Sequence, residues 1–70
     1  MMRELKLKGE YITLGQLLKA CDLVQDGVEA KVVIQGGQVK VNGEVDERRG
    51  KKLYPDDVVS YKGTEIKVVR

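Results

Sequence analysis

Arg48, Arg49, Lys51 and Lys52 put four cations within five residues, with Gly50 between them to bend the chain. An arginine presents a planar fork that matches phosphate, while a lysine is a mobile point charge. Set side by side, the two types can grip a polyanionic backbone. A second polar set lies upstream. Lys31 and Gln35 are one helical turn apart and share a face. Gln38 and Lys40 share the outward face of the strand that follows. With Asn42, these side chains can reach phosphates, 2′-hydroxyls and base edges together. A plainer account covers the same residues. Every amphipathic element needs a polar exterior, and a charged loop, partly neutralised by Asp46 and Glu47, also keeps a chain soluble.

The residue types of catalysis are absent or otherwise explained. There is no histidine, so the usual zinc ligand sets cannot assemble. Cys21, the single cysteine, can form no intramolecular disulfide, which fits a reducing compartment. It also falls on an apolar stripe, where a buried structural thiol belongs. Asp56 and Asp57 follow Pro55, and a proline-led turn accounts for them without a metal. Glu10 and Glu65 have no partner in the pattern that would tune an acid–base pair. The expectation is a protein that is not an enzyme, with no cofactor, no metal and no small-molecule substrate.

Seventy residues make one domain, 1–70. A chain this short buries only roughly 60% of its unfolded surface, which leaves little for a deep cavity. At 41% hydrophobic and 34% charged the composition is that of a globular chain and not a disordered one. The aliphatics are mainly Val, Leu and Ile, and the only aromatics are Tyr11, Tyr54 and Tyr61. Three tyrosines are assigned to packing and not to base stacking. The net charge of +2 is a mild bias, so the placement of charge matters more than its sum. No apolar run approaches the roughly 20 residues that span a bilayer. The opening Met1-Met2-Arg3-Glu4-Leu5-Lys6 lacks the apolar stretch of a secretory signal. The expected location is the cytoplasm and the expected state a monomer.

The elements that must position these groups follow from periodicity. Leu5-Lys6-Leu7-Lys8 alternates as a half-buried strand does. Thr13 and Gln16 have the spacing of a capping box, and Leu14, Leu17, Leu18 and Cys21 form the stripe of a first helix over 14–21. Asp26 and Glu29 cap a second helix ending near Gln35, with Val28, Val32 and Val33 as its inward face. Gly36-Gly37 ends it. From Gln38 the period becomes two, and Asn42-Gly43 signals a tight hairpin turn. Val58 to Tyr61 and Glu65 to Val69 supply two more strands around a Lys62-Gly63 turn. The class is α+β, with two short helices on a small bent antiparallel sheet and an added N-terminal strand.

Leu14-Gly15-Gln16-Leu17-Leu18-Lys19, Glu29-Ala30-Lys31, Val39-Lys40-Val41-Asn42-Gly43 and Asp57-Val58-Val59, taken in order, resemble the S-four RNA-binding domain over residues 12–61. The run Arg48-Arg49-Gly50-Lys51-Lys52-Leu53 is similar to one branch, the short free-standing bacterial proteins of the YbcJ-like group. The resemblance implies the fold called the αL motif and structured RNA, frequently ribosomal RNA, as partner. With RNA as partner, the expected binding set read from charge and placement is Lys31, Gln35, Gln38, Lys40, Asn42, Arg48, Arg49, Lys51 and Lys52. The chain departs from the family pattern at Asp26-Gly27, where Ser-Arg is usual, and at Thr13, Gln35 and Gln38, where a basic residue is common. Pro55-Asp56-Asp57 stands where Pro-Gly-Asp is commoner. Each missing cation removes a phosphate contact, which moves the expected grip toward the 48–52 loop. The alternative is a small protein-interaction module without nucleic-acid affinity, pairing through an edge strand. A ubiquitin-like carrier needs a Gly-Gly tail, and this chain ends Val68-Val69-Arg70.

Overall fold

The computed structural model describes residues 2–70, and Met1 of the opening hexapeptide lies outside them. The order is β1 (Met2–Lys6), β2 (Ile12–Thr13), α1 (Leu14–Ala20), α2 (Gly27–Gln35), β3 (Val39–Val41), β4 (Glu44–Val45), β5 (Lys52–Leu53), β6 (Val58–Tyr61) and β7 (Thr64–Val69). Five strands form one sheet in the order β1-β7-β6-β3-β4, while β2 and β5 pair separately. From β7 to β4 every pairing is antiparallel, as expected from the hairpin signals. The added N-terminal strand joins parallel to β7, which makes the sheet mixed. Leu7 extends that ladder through its N–H to the Val69 carbonyl at 2.8 Å, and its side chain is buried.

Period-two alternation sets the inner face of the sheet. Val39 and Val41 are buried with Lys40 outside between them, and Val59, Tyr61, Ile66 and Val68 continue the buried face across β6 and β7. Against it pack Leu14, Leu17 and Leu18 of α1 and Ala30, Val33 and Ile34 of α2. The inward face expected for α2 needs correction. Val33 is buried, but Val28 and Val32 are 72% and 62% exposed. At about 100° per residue, positions 28 and 32 lie opposite 30, 33 and 34. The helix buries the set that carries Ile34 and the small Ala30, which sits beside the Gly15–Lys19 side of α1.

The caps form largely as spaced. Thr13 and Gln16 complete a reciprocal capping box. Asp26 Oδ1 accepts from the Glu29 N–H at 2.8 Å, but the Glu29 carboxylate reaches one residue further back, to the Gln25 N–H at 3.1 Å. Asn42 and Gly43 both have positive φ, 53° and 86°, the geometry of a type I′ hairpin turn. Asp56 follows Pro55 with φ of 79°, the position in a type II turn that glycine fills at least cost. Among the described residues no helix is long and apolar enough to cross a membrane.

Candidate nucleic-acid interface

The 48–52 loop is docked, and the short β2–β5 pairing docks it. Ile12 lies opposite Leu53 and Thr13 opposite Lys52, with Leu53 fully buried. This brings the loop over the start of α1, whose first N–H groups have no partner within the helix. Leu14 N–H donates to the Lys51 carbonyl at 2.9 Å, and Gly15 N–H to the Arg49 carbonyl at 3.1 Å. The Arg49 stem covers Gly15 so closely that a Cβ there would meet Arg49 Cγ at 2.9 Å. The main chain of the loop is thus part of the fold, and the side chains of Arg49 and Lys52 project from it into solvent.

Arg48 stands apart from its three neighbours. Its Nε and Nη2 donate to the two oxygens of Asp46 at 3.1 and 2.9 Å, and its N–H donates to Oδ1 at 2.9 Å. These bonds hold the Asp46 carboxyl below the usual carboxylate range. The fork that would meet a phosphate already meets a carboxylate. The adjoining groove, about 570 Å³, sets Glu44, Asp46, Glu47 and Asp57 against only Arg48 and Lys51. A smaller groove, about 220 Å³, lies between the loop and the starts of both helices. Arg49, Lys19 and Gln16 line it, and among the described residues no carboxylate does.

Asn42 is occupied by the fold as well. Its Nδ2 donates to Asp57 Oδ1 at 3.1 Å, and its Oδ1 accepts from the Val58 N–H at 3.0 Å. Asp57 Oδ2 also accepts from the Tyr54 N–H at 2.8 Å, so this aspartate ties the hairpin turn to the proline turn. Lys31 and Gln35 are exposed on the flank of α2, and Gln38 is exposed just beyond its end, its amide beside Gly36. Lys40 points outward from β3, between Val45 and Ser60 on the neighbouring strands.

A family model for the S4 domain matches residues 5–69. The chain belongs to the S4 domain family. A Bacillus subtilis (strain 168) relative named "Probable ribosome maturation protein RlbA" is 46% identical over 63 residues, covering 90% of this chain and 89% of the relative. "Putative RNA-binding protein YbcJ" of Escherichia coli (strain K12) is 37% identical over 62 residues, covering 89% of each chain. The solution structure of E. coli YbcJ, described as revealing an αL motif involved in RNA binding, superposes with a TM-score of 0.70 at 35% identity. It covers 99% of this chain and 86% of that one.

Within this S4 domain, sequence reasoning passed over three solvent-facing groups. Lys19 is exposed in the last turn of α1, beside Arg49. Its place off the stripe, between Leu18 and Cys21, already marked it as outward. Tyr11 and Tyr54, assigned to packing, are 43% and 48% exposed, and only Tyr61 is a core residue. The signal was the pairing of Tyr11-Ile12 with Leu53-Tyr54, since turning Ile12 and Leu53 inward turns both tyrosines out. Cys21, expected as a buried thiol on the helix stripe, is instead the half-buried C-cap of α1, packed against the edge of the core. Burial pushes its thiol above the usual cysteine pKa, more than the charge of Arg3 lowers it. Arg3 itself donates to the Cys21 carbonyl at 3.0 Å, at the end of α1. Among the described residues no three potential metal ligands cluster, and no polar or charged side chain is buried.

Proposed function

We propose that this chain binds structured RNA, with ribosomal RNA as the substrate class, by gripping shape and backbone more than sequence. The observation that carries this reading is the acid-free groove of Arg49, Lys19 and Gln16, rimmed by a cationic loop that main-chain hydrogen bonds fix to α1. A fixed cation cluster loses little freedom on meeting a phosphate, so more of its attraction appears as affinity. Arg49, Lys51, Lys52 and Lys19 hold the backbone in this account. Lys31, Gln35, Gln38 and Lys40 add contacts on either side, while Arg48 and Asn42 act as scaffold. Membership of the S4 domain family and the names of the two relatives support the reading. It has the chain work as one domain and a monomer in the cytoplasm, with no covalent step.

Crosslinking the protein in cells and sequencing the attached RNA tests it, with enrichment of structured ribosomal segments as the expected result. The exposed Val28 and Val32 favour a second reading, a protein-interaction module. That reading predicts no RNA above background and protein crosslinks on α2 instead.

A further inference from the structure

The register that docks the basic loop also builds an aromatic surface that adjoins the RNA grip and shares Lys52 and Lys19 with it. With Ile12 opposite Leu53 and both turned inward, the next pair outward in the antiparallel ladder is Tyr11 and Tyr54. Their ring centroids are 6.1 Å apart and the planes are inclined by 52°. The rings therefore do not cover one another face to face, and both are substantially exposed. Lys52 places its Nζ over the Tyr11 ring, 5.0 Å from the centroid, a cation–π contact that a stacking base would meet at the ring's edge or displace. Tyr11 also forms one wall of an open groove of about 490 Å³, which Lys6, Lys8, Lys19 and Gln16 share with the apolar side chain of Ile12. Among the described residues no carboxylate lines this groove.

An exposed aromatic face beside a row of cations has a defined chemical complement. The ring stacks on a flat heterocycle and the ammonium groups neutralise phosphates on either side of it. The interior bases of a duplex cannot use such a surface, because both of their faces are already stacked. An unpaired nucleotide can. We propose that Tyr11, Tyr54 and Lys52 form a stacking site for an unpaired base of the bound RNA, with Lys6, Lys8 and Lys19 along the path of its backbone. Lys19 lines both this groove and the one beside Arg49, so one RNA can run from helical stem to unpaired segment without leaving the protein. The inference rests on the RNA-binding reading above and names the part of the RNA that this face takes. Stacking is tolerant of base identity, so the site recognises an unpaired junction and not a sequence.

The test compares a blunt-ended RNA duplex of two fully paired strands, with no loop, against the same duplex carrying a short unpaired tail, using full-length wild type and a Tyr11→Leu/Tyr54→Leu double variant. Wild type binds the tailed RNA about 30-fold tighter, the middle of the range for one stacked base. The double variant binds both RNAs with the wild-type affinity for the blunt one, and Tyr11→Phe/Tyr54→Phe keeps the tail preference because the ring, not the hydroxyl, stacks. A photoreactive uridine in the tail supplies a readout that needs no variant, with crosslinks expected on Tyr11 or Tyr54. Equal wild-type affinity for the two RNAs, or tail crosslinks confined to α2, overturns the stacking site and leaves the backbone grip standing. Failure of wild type to bind either RNA overturns both.

Discussion

Replacing Asn42 with alanine separates scaffold from interface more sharply than any other single change. The residue has a left-handed backbone with φ of 53°, a conformation that costs most L-residues about 1–2 kcal/mol and that asparagine tolerates. Its amide makes two hydrogen bonds, to Asp57 and from Val58, each with a net worth of about 0.5–1.5 kcal/mol. Because both bonds lie near the surface, the lower half of that range applies, and Asn42→Ala should cost about 2–4 kcal/mol in total. A domain of this length has only about 4–10 kcal/mol of stability. At roughly 4–8 °C per kcal/mol, the thermal midpoint should fall by about 8–30 °C. Asn42→Gly removes the bonds but not the backbone tolerance and should lose about half as much. Far-UV circular dichroism during thermal and urea unfolding measures this, and RNA affinity is then read well below both midpoints. There the alanine variant should bind like wild type. A variant that melts like wild type but binds RNA weakly would put Asn42 back on the binding surface and refute the argument.

Other consequences follow from the same geometry. Lys31→Glu should weaken RNA binding, yet shift stability by under about 0.5 kcal/mol because the residue is exposed; unaltered affinity on a folded variant would remove α2 from the surface. Ile34→Ala should cost about 2–5 kcal/mol in urea unfolding, while Val32→Ala on the exposed side of the same helix stays within about 0.5 kcal/mol. The Asp46 carboxyl is held low in the folded protein by Arg48. Its contribution is therefore complete above the unfolded aspartate value near ~3.9 and is lost as the pH falls through the lower folded value. Asp46→Asn should flatten the acid limb of a stability–pH curve, and superimposable limbs would show that the pair contributes nothing.

Elements whose signal is local were legible in the sequence. The capping box at Thr13, the stripe of α1, the Asn42-Gly43 turn and the alternation around Lys40 each depend on residues within a few positions of one another. Their family order carried the fold. What escaped depends on partners distant in sequence. Val28 and Val32 gave α2 a second plausible apolar face, and only packing against α1 and the sheet chooses between the two. The β1–β7 pairing joins the two ends of the described chain, and nothing local distinguishes a parallel from an antiparallel edge strand. The proposed binding set is narrower than the expected one partly for the same reason. Arg48 and Asp46 are near in sequence, but Asn42 meets Asp57 and Val58 only through the sheet. Tyr11 meets Tyr54 only because β5 pairs with β2.

The salt dependence of RNA binding tests the central claim most directly. With Arg48 paired to Asp46, the loop has three cations free for phosphate, Arg49, Lys51 and Lys52. At about 0.7 counterions released per contact, they contribute a slope of about −2.1 to log affinity against log salt. Between about 50 and 200 mM salt that share alone is a loss of roughly 20-fold. Changing the three to glutamine removes the charges and keeps the stems, including the one that covers Gly15. Measured on a structured ribosomal RNA fragment, the triple variant should bind more weakly at low salt, with a slope flatter than wild type by about 2. Two slopes that coincide within error would make the loop a solubilising surface and contradict the account.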